Sequence, residues 1–495
     1  MKLSKLSLAL LAAGLGGVAV ADEADTRDFG LFVQNNLRAT ARATLGLPQP
    51  LTESAPATVG AYRTPEQTAR DQVLIPDDLT AAYLTREAAN STDMLAFYPA
   101  AAPTHLISCV EGGRTELAGD GLPGYAAGDK FNPSVQRIDL ATGAVETILR
   151  GMSACDGIRT TPWGTVLVTE ERSDGGAYEI LNPLATTNYT VQDRASGQIV
   201  DAAGNNDLDE IAKRPALPTM SWEGLEVLPS GVVIGGDELR PGTAADDVDG
   251  GAVFKFVPAA AHGGGAIASL GDSPLVGGSV YAMQVSCRDS KQQFGQGCEI
   301  GNAAWIPVGA ATARSDADVG GATGYYRPED LHLDPVFHDE ANPDAVRFCW
   351  ANTGNEGAKN YAEVVCGVDS APLTASSSRT VVVNRFVEGD TDFNSFDNLA
   401  FQPYTGALYV IEDHPNGDVF ACLRDGADRD IKTDGCVKIL SVKDSSAEPT
   451  GFLFDATGTR AYVSIQHSND DNMPLVDDYR TDDVLMITGF KLPKR

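Results

Sequence analysis

An internal repeat restricts the fold of this chain more than any other feature. Each unit opens with an acidic or small polar residue, runs through an apolar strand, a turn and a second apolar strand, and closes on polar or acidic residues. Five units fit: DGIRTTPWGTVLVTEE from Asp156, EGLEVLPSGVVIGGDE from Glu223, EDLHLDP from Glu329 with AVRFCWANTG after a longer turn, DNLAFQPYTGALYVIEDH from Asp397 and TGFLFDATGTRAYVSIQH from Thr450. Alternating strands joined by turn residues predict a β-hairpin in each unit. A hairpin returns the chain to its starting side, so the opening and closing acids of a unit should share one end of the sheet.

The intervals between units leave room for two further strands and their loops. Such spacing is typical of a β-propeller, in which each blade is a four-stranded sheet and the innermost strands line a central channel. We therefore predict an all-β protein, a β-propeller of about six blades with loop insertions and an N-terminal extension. A β-sandwich or barrel with a hairpin period is the alternative, because strand spacing alone does not separate these folds.

Composition divides the chain into three regions. Residues 1–21 have the pattern of an export signal, with lysines, an apolar run and the small residues Ala-Val-Ala at the end. Residues 22–105 are rich in Ala, Thr and Pro with little alternation, so we expect an N-terminal extension or wrap. Residues 106–495 should form the catalytic propeller. No later apolar run has the length of a membrane span, and we predict a monomer that is periplasmic or secreted.

The net charge of the chain limits the kinds of molecule that it can bind. A formal charge of −31 argues against nucleic acid, because a surface of this sign repels phosphate backbones. The same charge favours solubility and the binding of cations. Much of it belongs to a solvated surface, so only a minority of the 68 acidic residues can be metal ligands.

Eight cysteines in an exported chain predict disulfides. Proximity in sequence suggests three pairs: Cys287 with Cys298, Cys349 with Cys366, and Cys422 with Cys436. Two cysteines remain, Cys109 and Cys155. They either form a fourth bridge, as the even count favours, or leave Cys155 as a thiolate metal ligand, as its place at the end of the first unit favours.

The acids at the ends of the units should meet at one mouth of the propeller. These residues are Asp156, Glu170, Glu171, Glu223, Asp237, Glu238, Glu329, Asp330, Asp397, Glu412 and Asp413. Like charges a few Å apart in a partly desolvated channel repel unless a cation lies among them. Oxygen ligands of this kind suit Ca²⁺, so we predict several calcium ions, although any one acid could instead be a solvated turn residue.

One basic residue stands among these acids. In GYYRPEDL, Arg327 lies two residues before Glu329 and directly ahead of a predicted inner strand. A guanidinium fork beside metal-bound carboxylates is suited to an anionic group such as a phosphate ester. Pairing with a neighbouring acid is the structural alternative for Arg327.

Several segments together resemble one known family. PWGTVLVTEE after Cys155, GGDE followed by GGAVFKFVP, RPEDL, DNLAFQP and EPTGFLFDATGTRAYVSIQH resemble the PhoX-type alkaline phosphatases, in order over roughly residues 105–470. The resemblance implies a propeller of about six blades that holds calcium and iron ions and hydrolyses small phosphate monoesters.

The resemblance also implies roles for individual residues. Cys155 matches a cysteine ligand of iron, Glu170 the glutamate of the PWGT strand, and Glu238 the acid that closes the GGDE strand. Arg327 matches the phosphate-binding arginine and Glu329 the adjacent metal ligand.

Two departures from the family pattern affect these expectations. The usual His-Glu before the second unit is Trp222-Glu223 here, so Glu223 would keep its role as a metal ligand while the histidine is lost. Family members are typically exported folded through a twin-arginine signal, which this chain lacks. Filling of the site outside the cytoplasm would put iron in doubt more than calcium.

Two other functions remain open at this point. No Ser-His-Asp arrangement and no HExxH zinc spacing is visible in the sequence. A calcium-dependent lactonase-like hydrolase would need only one or two metal ions and no Arg327. A non-enzymatic binding propeller stabilised by calcium would gain support from a bridge between Cys155 and Cys109.

Overall fold

A computed structural model describes residues 29–47, 49–119, 126, 128–242, 249–285, 299–375, 378, 380–424, 435–469 and 471–492. Residues 1–21, predicted as an export signal, and the predicted Cys287–Cys298 pair lie outside this range. The described α-helices are α1 (Phe29–Thr44), α2 (Ala69–Gln72) and α3 (Ala313–Gly320). None of the described helices is both long and apolar enough to cross a membrane.

Short strands account for most of the regular secondary structure in the described chain. The first fourteen are β1 (Val73–Leu74), β2 (Thr80–Ala89), β3 (Thr92–Tyr98), β4 (His105–Val110), β5 (Glu116–Ala118), β6 (Lys130–Phe131), β7 (Pro133–Asp139), β8 (Val145–Arg150), β9 (Cys155–Thr160), β10 (Val166–Glu170), β11 (Ala177–Ile180), β12 (Tyr189–Asp193), β13 (Gln198–Val200) and β14 (Ile211–Lys213). The next sixteen are β15 (Trp222–Val227), β16 (Val233–Asp237), β17 (Val253–Pro258), β18 (Gly278–Gln284), β19 (Gly301–Val308), β20 (Pro328–Leu333), β21 (Val346–Asn352), β22 (Glu363–Asp369), β23 (Val381–Glu388), β24 (Phe396–Phe401), β25 (Leu408–Glu412), β26 (Asp418–Cys422), β27 (Cys436–Val442), β28 (Glu448–Phe454), β29 (Arg460–Gln466) and β30 (Thr481–Thr488).

These strands form six blades, numbered here in chain order of their innermost strands. Blade one contains β3, β4, β7 and β8, extended outward by β12 and β13, and blade two contains β9, β10, β11 and β14. Blades three (β15 to β18) and four (β20 to β23) are joined through β19 into one nine-stranded sheet. Blade five contains β24 to β27 with β1 at its edge, and blade six contains β28, β29, β30 and β2.

The innermost strands close into a ring. Each of β3, β9, β15, β20, β24 and β28 contacts the next, and β28 contacts β3. The outer strand of blade six, β2, comes from the N-terminal part of the chain and pairs antiparallel with the C-terminal β30. Closure leaves no blade without neighbours, which confirms the predicted β-propeller.

The described propeller includes residues ahead of the predicted domain boundary at residue 105. The segment 80–98 supplies β2 and the innermost strand β3, so the propeller begins inside the predicted N-terminal extension. Only the chain before β2 can act as a wrap, and α1 does so by packing Leu37, Ala41 and Leu45 into the core between blades five and six. These residues recur every four positions, as in an amphipathic helix.

One irregularity recurs in every innermost strand. Pairing with the second strand shifts register near the start of the strand, in the intervals Thr92/Leu95, Cys155/Ile158, Trp222/Leu225, Pro328/Leu331, Phe396/Leu399 and Thr450/Leu453. The shift follows the first paired residue in five blades and the third, Thr450, in blade six. Each of these intervals is a segment of four residues. The second residue of the segment is acidic in five blades and is Gly451 in the sixth. Such bulges re-aim side chains at sheet rims, and here they coincide with the acids.

Candidate metal centre

Acids from five blades form the buried part of the site, which we call the inner ring. It consists of Asp93, Asp156, Glu223, Glu329 and Asp397, each the second residue of the irregular segment. The first four residues of this list are at most 5 % exposed. Oxygen atoms of Glu223, Glu329 and Asp397 all lie within 4.8 Å of one another. The ring therefore concentrates carboxylates in a space where water is scarce.

Three oxygen atoms of the inner ring have no hydrogen-bond partner in the part of the chain that the structure describes. They are Oδ1 of Asp156, Oε1 of Glu223 and Oε2 of Glu329, all buried. Burial, followed by repulsion from neighbouring acids, raises the pKa of Asp156 and Glu223 well above the ordinary range. Burial also raises the pKa of Glu329 to about 7, although Arg327 opposes the shift. Buried polar atoms are costly without partners, so this donor set fits a hard cation.

A second set of acids, the outer ring, lies closer to solvent. It consists of Glu111, Glu171, Glu238 and Asp413, which follow the second strands of blades one, two, three and five, and of Glu448, which opens blade six. Burial and then Asp413 raise the pKa of Glu448 to about 10. His467 joins this ring, with Nε2 3.4 Å from Glu448 and 3.8 Å from Glu111. The two rings form a funnel of carboxylates around the channel mouth.

Arg327 connects the two rings. Its Nε lies 3.0 Å from Glu329 and also contacts Glu238, and its Nη2 lies 3.2 Å from Asp413. Burial alone lowers the pKa of Arg327, but these three carboxylates outweigh it and raise the pKa, so the guanidinium is cationic. The backbone has φ of +57°, a strained region for a residue with a side chain. Strain of this kind is typical of functional positions.

Adjacent acids at the strand ends have opposite roles. Glu170 was predicted as a metal ligand, and in the structure its carboxylate has protein partners instead. Its carboxylate receives bidentate hydrogen bonds from Arg194 at 2.6 and 3.0 Å and further bonds from the backbone N–H groups of Ser153 and Gly176. The next residue, Glu171, lies among the acids of the outer ring. The alternation of side chains along a strand explains the difference.

The same division holds in two other blades. Asp237 pairs bidentately with Arg314 and accepts a hydrogen bond from the Ser221 N–H, while Glu238 reaches Arg327. Glu412 accepts from the Asn394 N–H at 3.0 Å. In each pair the first acid accepts a backbone hydrogen bond from a residue just before the innermost strand. The second acid lies in the outer ring.

This division gives a direct test. We expect Glu170→Gln to lower the free energy of unfolding by about 2 kcal/mol, because it weakens a buried ion pair, while metal content is unchanged. Glu171→Gln should instead lower calcium content with a smaller loss of stability in the chelated protein. Elemental analysis and denaturant unfolding of both variants check this. Loss of calcium in Glu170→Gln with retention in Glu171→Gln would reverse the assignment.

Cys155 was considered as a thiolate ligand of iron, and the structure contradicts this role. Its sulfur forms a disulfide with Cys109, on the neighbouring blade. A disulfide sulfur carries no thiolate charge, so the residues present do not fit iron held by cysteine. Two of the predicted disulfides are confirmed, Cys349–Cys366 and Cys422–Cys436.

Deeper in the channel, Asp330 belongs to a separate set of contacts. It pairs with Arg159 at 3.0 Å and with His332 at 3.0 Å, and Arg159 also binds Glu226. It further accepts from the Leu399 N–H. These contacts join blades two, three, four and five, and leave Asp330 no free place in the inner ring.

Sequence reasoning missed three acids of the site. Asp93 was assigned to the N-terminal extension, although TDML repeats the spacing of CDGI, WEGL, PEDL and FDNL, an acid two residues before an aliphatic residue. Glu111 follows β4, which was not recognised as part of a repeat unit, and Glu448 lies two residues before Thr450, where the fifth unit was taken to begin. The acid-x-aliphatic pattern is the signal that finds Asp93. Of the residues assigned to the site, Glu223, Glu238, Glu329 and Arg327 do come together.

Comparison with known proteins finds a family that matches the sequence and solved structures with a similar fold. A family model described as "Alkaline phosphatase PhoX" matches residues 147–469, about two thirds of the chain. Among solved structures, Pseudomonas fluorescens PhoX in complex with vanadate, a transition state analogue, is similar over 88% of this chain and 97% of that chain, with 14% identity and a TM-score of 0.52. The soluble aldose sugar dehydrogenase of Escherichia coli in the apo-form is similar over 83% and 99%, with 9% identity and a TM-score of 0.38. No curated protein matches the sequence. Because the family model covers more than half of the chain, this protein belongs to the PhoX family of alkaline phosphatases.

Proposed function

We propose that the protein is a metal-dependent phosphatase that hydrolyses phosphate monoesters at the mouth of the propeller. The observation that carries the proposal is the position of Arg327, a cation at the junction of the two carboxylate rings, next to three buried inner-ring oxygen atoms without a hydrogen-bond partner among the described residues. Membership of a phosphatase family supports it. The similar Pseudomonas fluorescens PhoX was determined in complex with vanadate, a transition state analogue, which agrees with phosphatase chemistry here.

Calcium is the cation that these residues fit. Glu223, Glu329 and Asp397 would hold one ion, and the unpartnered oxygen of Asp156 together with acids of the outer ring offers ligands for others. Bound calcium would neutralise phosphate oxygens and stabilise the developing charge of the leaving group. We do not include iron bound through Cys155 in the proposal, because that sulfur is bridged.

The chain's own residues would bind and orient the ester. The guanidinium of Arg327 is shared among Glu238, Glu329 and Asp413. Cations that neutralise these acids would free the guanidinium to donate two parallel hydrogen bonds to phosphoryl oxygens. Burial of the inner ring excludes most water and strengthens these charge interactions.

One observation favours a second function. The Cys109–Cys155 disulfide removes the thiolate expected of an iron-containing enzyme, which supports a non-enzymatic propeller that binds calcium as a structural ion. In a binding propeller the inner ring would bind calcium equally well, but Arg327 would only neutralise part of the negative charge of the neighbouring carboxylates. No described feature specifically favours a lactonase.

Turnover combined with metal analysis distinguishes these functions. We expect the purified protein to contain calcium, to hydrolyse p-nitrophenyl phosphate, to lose this activity in EGTA and to recover it when calcium is restored. Elemental analysis before and after chelation gives the number of ions per chain. Tightly bound calcium without hydrolysis of any monoester would support the binding propeller and contradict the phosphatase. An iron requirement for recovery would show that the exclusion of iron is wrong.

A further inference from the structure

Blade six differs at the mouth from the other five described blades. Gly451 occupies the position that carries an inner-ring acid in each of them, and His467 follows the second strand. A side chain at Gly451 is excluded, because a Cβ atom there would lie 2.5 Å from the carbonyl oxygen of Asp93. The acid that blade six does supply, Glu448, hydrogen-bonds to Asp413 of blade five. Blade six therefore presents an imidazole where blades one, two, three and five present carboxylates.

The imidazole of His467 is accessible and fixed in orientation. Its side chain is 45 % exposed, compared with 32 % for Asp413 and 12 % for Glu448. Nε2 lies 3.4 Å from Glu448, and Nδ1 lies 3.4 Å from the hydroxyl oxygen of Ser91. Carboxylate oxygen atoms are acceptors, so these contacts favour the N–H on Nε2 and leave Nδ1 to accept from Ser91. The backbone φ of +60° places His467 in the same strained region as Arg327.

A short series of contacts connects His467 to Arg327. Nη2 of Arg327 lies 3.2 Å from Asp413, and Asp413 hydrogen-bonds to Glu448. Glu448 in turn lies 3.4 Å from Nε2 of His467. Cations that neutralise these two acids would free a donor on each of their neighbours, the guanidinium fork of Arg327 and the N–H of His467.

These two donors suit the two ends of a phosphate monoester. The phosphoryl oxygens are negatively charged and match the guanidinium of Arg327. The alcohol oxygen is uncharged in the bound ester and gains negative charge only as its bond to phosphorus breaks. A single N–H donor is suited to that oxygen, because its contribution grows as the charge develops.

We propose that His467 donates a hydrogen bond from Nε2 to the oxygen of the departing alcohol, and that esters of aliphatic alcohols depend on this contact most. Hydrolysis breaks the bond between phosphorus and this oxygen, which takes the electron pair. Water supplies the new oxygen of the phosphate and the proton of the released alcohol. The inference rests on the proposed phosphatase function and adds a catalytic residue to it.

The test compares p-nitrophenyl, phenyl and ethyl phosphate, whose alcohols leave with increasing difficulty. His467→Asn shortens the side chain and keeps a residue type that tolerates positive φ. We expect it to lower kcat/KM for ethyl phosphate by about 10- to 100-fold and for p-nitrophenyl phosphate by less than about threefold, because p-nitrophenolate needs little stabilisation. His467→Gln retains an amide donor with a reach similar to that of Nε2, so it should recover part of the loss.

His414→Asn is the matched control. The side chain of His414 is 39 % exposed, and its Nε2 lies 3.4 Å from Glu412, which is outside the two rings. The variant His414→Asn should leave the relative values of kcat/KM for the three esters unchanged. Calcium content and Tm, measured for each variant, show whether the metal centre and the fold are retained.

The outcomes separate this inference from the proposed function. An equal loss of kcat/KM for all three esters in His467→Asn, or a change of less than about twofold for each, would overturn the role of His467 and leave the phosphatase intact. The same selective loss in His414→Asn would also overturn it. Absence of turnover by the unchanged protein with every ester would overturn the proposed function, and this inference with it.

Discussion

Arg327→Ala is expected to lower kcat/KM for phosphate monoesters by about 10²- to 10³-fold in the calcium-loaded protein. Two charge-assisted hydrogen bonds to a phosphoryl group are lost, each of which contributes about 1.5–3 kcal/mol. Arg327→Lys should recover only part of the activity, since a single ammonium group cannot reproduce the fork. Steady-state kinetics with p-nitrophenyl phosphate, corrected for the folded fraction, provides the measurement.

A matched control distinguishes substrate binding from structural pairing. Arg314 is as buried as Arg327, at 14 % exposure of each side chain, and it pairs with Asp237, which lies outside the two rings. Arg314→Ala should reduce stability and leave kcat/KM per folded molecule close to that of the unchanged protein. If Arg327→Ala behaves in the same way, with full activity in the folded protein, Arg327 is a structural partner of the acids and the binding-propeller reading gains support.

Removal of calcium is expected to change how stability depends on pH, so that the chelated protein becomes less stable as pH rises. In the metal-free fold, burial raises the pKa of Glu329 and of Asp93 to about 7, against about 4 in an unfolded chain. An acid whose folded pKa is raised contributes its full stability below the unfolded pKa, and the contribution is lost as pH rises through the folded pKa. The Tm of the chelated protein should therefore fall between pH 5 and pH 8.

Calcium should have the opposite effect over the same range. It binds ionised carboxylates of the folded ring, so its affinity rises with pH, and each site contributes about 2.7 kcal/mol at a hundredfold excess over Kd. The stabilisation by calcium should thus be small at pH 5 and large at pH 8. Thermal unfolding followed by circular dichroism, in EGTA and in excess calcium, measures both curves.

Asp330 does not complicate this comparison. Burial by itself would raise the pKa of Asp330, but its partners His332 and Arg159 outweigh burial and hold this pKa well below its usual range. Its contribution to stability is therefore lost only when pH falls below about 4, outside the range measured. A chelated protein with the same Tm at pH 5 and pH 8, and no response to calcium, would contradict a metal centre in the two rings.

The sequence by itself determined the inner hairpins of five of the six blades and most of the acids that open them. Strand alternation and turn residues act over a few neighbouring positions, so the hairpins that begin at Asp156, Glu223, Glu329 and Asp397 could be read directly. The hairpin argument also predicted that Glu238 and Glu329 would meet, and both contact Arg327. These features depend on local geometry, which the sequence pattern reports.

Only the tertiary structure decided which acids belong to the site. Glu170 and Glu171 are equivalent in the sequence, but the register of a bulged strand turns one toward Arg194 and the other toward the mouth. Cys155 was ambiguous because its partner lies 46 residues away on a different blade. Asp93 enters the ring because closure with the C-terminal β30 draws the N-terminal strands into the propeller. Each outcome depends on contacts between residues distant in the chain, and local patterns carry no information about such contacts.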